Sequence, residues 1–325
     1  MRELEIIERL RRIATAPEAL GLLDDVAVLG SLVVTHDSIA EGVHFLPQDP
    51  PASVGWKLVA VNLSDIAAKG ASPVGALLSL TISGPGEWEL DFLAGIEAAC
   101  ESYGLPLIGG DTIGLPIGAP RVLGLTAIGR AGEQVPRRSG AIAGDGLWLI
   151  GTIGDAAAGI ALLKEDQRAD GPLVDIYRRP VPQLEAGRVL APHADAMMDV
   201  SDGLLLDARR MADASHCSIE IALDQLPLSR AFIAERGQEL ESRLFAATGG
   251  DDYALLAAMP PELDPSTLSL PAGTRITRIG TIAGAGPRLA LTLDGEPVEL
   301  PERLGFEHEG SDNWRLPASR LGDRP

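Results

Sequence analysis

Aspartates in this sequence fall where the chain turns or where it is otherwise apolar. Asp24 and Asp25 precede a strand-like run, Asp37 sits inside THDSI, and Asp65 lies within VAVNLSDIAA. Asp111 follows Gly109-Gly110, Asp199 and Asp202 interrupt MMDVSDGL, and Asp251-Asp252 follow a second glycine pair. Aspartate is a poor strand former and is almost never fully buried without a partner. If these positions converge, they form an all-oxygen ligand set, which suits Mg²⁺ rather than a transition metal. Singly, each has a plainer reading. Asp24 or Asp25 could edge a hairpin, Asp65 could pair with Lys69 on a surface helix face, Asp111 could be a turn residue, and Ser201-Asp202 could cap a helix. Only the set carries weight.

Other chemistries lack their residues. A net charge of −19 with three lysines (Lys57, Lys69, Lys164) excludes the usual nucleic-acid footprint. The same charge repels phosphorylated ligands, so a phosphate-handling protein of this composition needs bound cations. There is no GxxxxGK[ST] loop, no HRD or DFG signature, no GxSxG elbow, and none of the five histidines has metal-site spacing. The segment GTIGDAAAGI (151–160) lacks a complete GxGxxG and reads as a strand-to-helix turn. Cys100 and Cys217 stand apart, as two free thiols of a cytoplasmic protein. The start, MRELEIIERLRRIA, is a charged amphipathic helix rather than a signal peptide, and no apolar stretch approaches ~20 residues, so no membrane span is expected.

The elements that must position these residues follow from periodicity. A helix is expected at 3–14, then two strands (VAVLG and SLVVTHDSI) around a Gly30-Ser31 hairpin turn. A helix from Pro51 stops near Gly70, followed by the strand VGALLSLTI, a helix over 87–103, and the strands LPLIGG and RVLGLTAIGR. The polar, turn-rich stretch 131–144 marks a boundary. Beyond it come a strand in GDGLWLIGTIG, helices near 156–163 and 183–190, the strand DAMMDVSDG, a helix over 204–214, and the strands SIEIAL and DDYALLAAM. At 325 residues two domains are expected, 1–135 and 136–310, with 311–325 as a tail. The class is α+β, built of α/β sandwich lobes.

Seven segments together resemble the thiamine-monophosphate kinase family, of the aminoimidazole-ribonucleotide-synthetase-like ATP-binding proteins. They are LDDVAVL (23–29), THDSIAEGVHF (35–45), VNLSDIAAKGASP (61–73), LIGGDT (107–112), RRSGA (137–141), DVSDGL (199–204) and GGDDYALL (249–256). The resemblance implies a two-domain synthetase-like fold whose N-terminal domains pair across a homodimer into a β-barrel. It implies transfer of the ATP γ-phosphoryl group to thiamine monophosphate, with several Mg²⁺ ions. Magnesium ligation would fall to Asp25, Asp37, Asp65, Asp111, Asp199 and Asp202, with Thr35 and His36 adjoining. ATP would be contacted by Tyr103, Gly110, Asp111, Arg138 and Ser201, and the acceptor by His44, Asp251 and Phe306. Asp37, Asp65, Asp111 and Arg138 would carry the catalytic charge balance.

Four positions depart from the family pattern. Leu23 replaces a glycine before the Asp pair, His36 a small hydroxyl residue, Asp251 a Glu, and Phe306 a Tyr. The Asp251 change removes about 1.5 Å of reach, one bond length. Two other readings remain: a synthetase of the same superfamily with another acceptor, and a non-catalytic nucleotide-binding regulator. A selenide-activating synthetase would carry an N-terminal Cys or Sec, whereas the first cysteine here is Cys100.

Overall fold

The computed structural model describes residues 3–307, so the expected tail at 311–325 lies outside the described residues. The first half runs α1 (Glu3–Arg11), β1 (Ala27–Leu29), β2 (Leu32–Ala40), α2 (Pro51–Ala68), β3 (Ser72–Ile82), α3 (Glu87–Tyr103), β4 (Leu107–Gly114) and β5 (Val122–Arg130). The second half begins with β6 (Gly146–Ile150), α4 (Asp155–Glu165), α5 (Pro172–Arg178), α6 (Leu184–Leu190), β7 (Ala196–Val200) and α7 (Leu204–Ser215). It ends with β8 (Ser218–Ala222), α8 (Arg230–Arg236), α9 (Leu240–Thr248), β9 (Ala254–Met259), β10 (Ile276–Ala283), β11 (Leu289–Leu293) and β12 (Glu296–Val298).

Two mixed sheets result, giving the α+β class. The first has the order β1-β2-β5-β3-β4, with only β3 and β4 parallel, joined through α3. The second has the order β12-β11-β8-β10-β6-β9-β7, with only β8 and β11 parallel. The β1–β2 hairpin closes through Gly30-Ser31, and Gly30 has φ +63°, a conformation only glycine adopts at no steric cost.

α2 joins the two halves. It starts with Pro51 at its first turn and ends at Gly70 (φ +59°), where the Ala71 N–H donates to the Ile66 carbonyl. Most of its residues are buried because it is enclosed on every side. Leu58, Leu63 and Ile66 pack with Val33, Leu123 and Leu125 of the first sheet. Ala67 and Ala68 pack with Ile150, Leu190, Met197 and Leu255 of the second half. The contact with α3 is close: a Cβ on Gly55 would meet the Phe92 carbonyl at 2.2 Å, and one on Gly95 the Ala52 carbonyl at 1.9 Å.

The longer elements stand where periodicity put them, and β4 extends past LPLIGG to Gly114. Not foreseen were α5, α8, α9 and the strands β10 to β12. α5 and α8 are seven residues each, two turns, too short to show a helical repeat. β12 is three residues, and β10 carries Arg278, Gly280 and Thr281, which break an apolar alternation.

Gly95→Ala forces α2 and α3 apart and is expected to destabilise the protein by about 2–3 kcal/mol. Gly132→Ala, with open space around its Cβ, is the control and should leave the thermal midpoint unchanged.

Candidate active site

Three carboxylates from three parts of the chain meet at the junction of the halves. Asp25 precedes β1, Asp65 lies on the enclosed helix α2, and Asp199 lies on β7, the edge strand of the second sheet. One oxygen from each lies within 4.8 Å of the others. Asp37 on β2 and Asp202 after β7 stand close enough to oppose ionisation within the group. Strand alternation sets the aim. Thr35 and Asp37 share the inner face of β2, and the Thr35 hydroxyl donates to the Asp65 carboxylate. The Asp37 N–H donates to Asn62 Oδ1 of α2 at 2.9 Å, which ties the strand to the helix.

Electrostatics divides the group. Burial alone would push Asp25 up, but Lys69 and Arg138 outweigh it and hold it at about 2. Lys69 is fully buried and lies 2.5 Å from Asp24 and 2.7 Å from Asp25, while Arg138 donates to Asp25. The plainer alternative, a surface pair of Asp65 with Lys69, does not occur: α2 has no exposed face there, and Lys69 turns to Asp24 and Asp25 instead. Asp37 is pushed up to about 6, by burial first and then by Asp202 and Asp25, against the lowering effect of His36. Asp65 and Asp199 are pushed well above the carboxylate range, by burial and then by neighbouring aspartates. Such a group is costly when charged unless a cation enters. An all-oxygen donor set, buried and short of positive charge, fits Mg²⁺.

The group opens into a cleft of about 340 Å³. Asp37, His44, Tyr177, Ser201, Asp202, Asp251 and Phe306 are among the residues that line it. Asp202 is paired with Arg210 at 2.5 Å, and its N–H and that of Ser201 both donate to buried Asp207. The Phe306 N–H donates to the Asp202 carbonyl, which brings the end of the described chain over the cleft. Asp251 accepts from Lys57 at 2.5 Å and from the Tyr253 hydroxyl at 2.9 Å. Helix α4 contributes Ala157, Ile160 and Lys164, a single stripe at helical spacing.

Other expected residues stand elsewhere in the single chain. The His36 side chain faces the outer side of the first sheet, within 2.9 Å of the Thr126 hydroxyl, so only its backbone faces the acidic group. Asp111 pairs in register with Ser79 on β4, and β2, β5, β3 and β4 lie side by side. Three strand spacings put its backbone about 14 Å from that of Asp37. Gly110 is required where it is, since a Cβ there would meet the Leu78 carbonyl at 2.1 Å. Tyr103 ends α3 with its ring edge on Trp56, and lines a second cavity of about 400 Å³ with Pro73, Gln183 and Arg188. The sequence reading missed Lys57 and Asp207 as site residues and misplaced Lys69. The available signal was rarity: two of only three lysines lie inside one apolar helix pattern.

Because Asp37, Asp65 and Asp199 have raised folded-state values, the folded protein keeps protons that the unfolded chain has already released. Metal-free protein should therefore lose stability as pH rises from about 5 to 7, while Asp25, ionised throughout, adds nothing to that slope. Thermal melts in EDTA check this, with Mg²⁺ raising the midpoint more at the higher pH and Asp65→Asn flattening the fall.

Comparison with known proteins agrees with this geometry. The AIR synthase related protein N-terminal domain matches residues 23–131, and the corresponding C-terminal domain matches 143–292. The thiamine-monophosphate kinase of Caulobacter vibrioides is 37% identical over 94% of this chain and 90% of its own length. That of Escherichia coli K12 is 36% identical over 89% and 91%. The solved structure of AaThiL complexed with AMPPCP and TMP superposes with a TM-score of 0.82 at 30% identity, covering 95% of this chain and 97% of that one. An acidic interlobe cleft, both domain matches and near full-length likeness lead to one assignment: the chain belongs to the thiamine-monophosphate kinase family.

Proposed function

We propose that this protein is a Mg²⁺- and ATP-dependent kinase that moves the γ-phosphoryl group of ATP onto the phosphate of thiamine monophosphate, giving thiamine diphosphate. The observation that carries the reading is the meeting of Asp25, Asp65 and Asp199 beside a cleft lined by Asp37, Asp202, His44, Asp251 and Phe306. The AaThiL complex, which holds AMPPCP and TMP, supports the same pair of ligands for the equivalent cleft.

The acceptor is a phosphate monoester with a second pKa near ~6, already largely a dianion at neutral pH. No strong general base is needed. The obstacle is repulsion between two polyanions. Asp25, Asp37, Asp65, Asp199 and Asp202 would hold Mg²⁺, which when bound supplies positive charge to the phosphoryl oxygens. Thr35 orients Asp65, and Asn62 fixes Asp37 through its backbone. Arg138, now on Asp25, would turn to the nucleotide, with Ser201 beside it. Transfer is direct and in line, without a phosphoenzyme.

The same reading assigns 1–135 to the nucleotide and pairing lobe and 136–310 to the second lobe. It also calls for two chains. Leu77, Ile113 and Val122 expose apolar surface on the first sheet, and every residue of edge strand β4 is exposed. Pairing of two such sheets would bury this surface and give Asp111, Gly110 and Tyr103 a role at the partner's cleft. Among the described residues, no helix is long and apolar enough to cross a membrane.

Mass spectrometry of a reaction with ATP, Mg²⁺ and thiamine monophosphate should show thiamine diphosphate. ADP release without that acceptor dependence would point to a synthetase, and no release at all to a regulator. Asp65→Asn is expected to lose at least about 100-fold in kcat, the scale of one lost electrostatic contact at the transition state, while remaining folded. Leu77→Lys with Ile113→Lys should convert a dimer to a monomer in light scattering, and an unchanged mass would refute the pairing.

A further inference from the structure

Two of the three lysines, Lys57 on α2 and Lys69 at its end, are buried, and only Lys164 lines the cleft itself. Lys57 projects from α2 with its side chain only 2% exposed. Its ammonium donates to Asp251 Oδ2 at 2.5 Å and to the His44 carbonyl at 3.0 Å, and lies 4.1 Å from the centre of the Tyr177 ring. These three partners all line the cleft. The second oxygen of Asp251 accepts from the Tyr253 hydroxyl. Burial, followed by the charge of Asp251, pushes the Tyr253 phenol upward, so it remains a donor.

The backbone carrying Asp251 is held in an unfavourable form. Gly250, Asp251 and Tyr253 have φ of +72°, +66° and +53°, and two of these are not glycine. Left-handed residues of this kind are strained and persist only where surrounding bonds over-determine them. Here the Asp251 N–H donates to the Ser201 carbonyl at 2.7 Å and the Tyr253 N–H to the Val200 carbonyl at 2.8 Å. Lys57 adds the third constraint, from the most enclosed helix of the fold. For stability alone a buried ion pair is a weak device, often matched by apolar side chains of equal volume. Aiming a carboxylate is a task that apolar residues cannot perform.

We infer that Lys57 is a positioning residue for acceptor recognition: it fixes the Asp251 carboxylate and the His44 loop so that the cleft accepts a phosphate ester bearing a cationic heteroaromatic ring. Asp251, 28% exposed at its side chain, presents the negative charge to that ring. The Lys57 ammonium balances it, so that the acceptor phosphate is not driven from the same cleft. This assignment deepens the proposed function and rests on it.

Steady-state kinetics test it. Lys57→Met should raise KM for thiamine monophosphate about tenfold or more, the scale of one lost charge-assisted hydrogen bond. KM for ATP and kcat should stay within about threefold, because Lys57 touches neither the acidic group nor the nucleotide side of the cleft. If Lys57 acts through Asp251, then in an Asp251→Asn background the same substitution should add less than about twofold. An acceptor KM unchanged in Lys57→Met, equal losses in both KM values and kcat, or fully multiplicative effects in the double variant would each overturn the assignment. Lys57→Gln, which keeps a donor in similar volume, takes the place of Lys57→Met if the latter fails to fold, with the same expected direction. The wild-type arm is read separately: no thiamine diphosphate from the unaltered protein means that the functional reading has failed, and this inference with it.

Discussion

Concentrating like charge in a place poorly reached by water is the constraint on which this structure turns. Asp25, Asp65 and Asp199 would be driven apart in solution, yet the fold holds their oxygens within 4.8 Å of one another. Part of the repulsion is offset inside the chain, by Lys69 and Arg138 on Asp25 and by Arg210 on Asp202 and Asp207. Burial, and after it the charge of the neighbouring aspartates, makes Asp37, Asp65 and Asp199 resist ionisation. A cleft in this state attracts divalent cations, and with them becomes attractive to phosphates. An acidic protein can thus serve a reaction between two anions.

The helix α2 makes that concentration possible. Enclosed by the first sheet, by α3 and by β7, it cannot rotate or slide without breaking packing on several sides at once. Its few polar residues are therefore placed with little freedom. Asp65 enters the acidic group, Asn62 holds Asp37, Lys69 holds Asp24 and Asp25, and Lys57 holds Asp251. One rigid element thus positions both the acidic group and Asp251 in the cleft lining. The close approach at Gly55 and Gly95 is part of the same device, since it fixes the depth of α2 against α3.

The departures from the family pattern look different once placed in space. Alternation along β2 turns the His36 imidazole to the outer face, towards Thr126 and away from the acidic group. Asp251 is shorter than the usual Glu, but its backbone is left-handed and its carboxylate is clamped from two sides. Phe306 is carried to the cleft by the bond from its N–H to the Asp202 carbonyl, so its ring is placed by the chain that also bears Asp202.

The sequence by itself determined the class of chemistry and most of the long elements. Aspartates inside apolar runs demand partners whatever the fold, and helices of four or more turns such as α2 and α3 show their period without tertiary help. Two-turn helices and short strands such as α5, α8 and β12 were not legible, because their stability comes from packing rather than from local pattern. Pairing was decided in three dimensions alone. A lysine four residues from an aspartate suggests a surface ion pair, and only the enclosure of α2 sends Lys69 to Asp24 and Asp25 and Lys57 to a residue 194 positions away. Strand order had the same effect on Asp111, which the motif groups with the other aspartates and which the sheet sets on β4, with β5 and β3 between it and the β2 strand of Asp37. Side-chain type is local information, whereas the distance between two charges depends on every element between them.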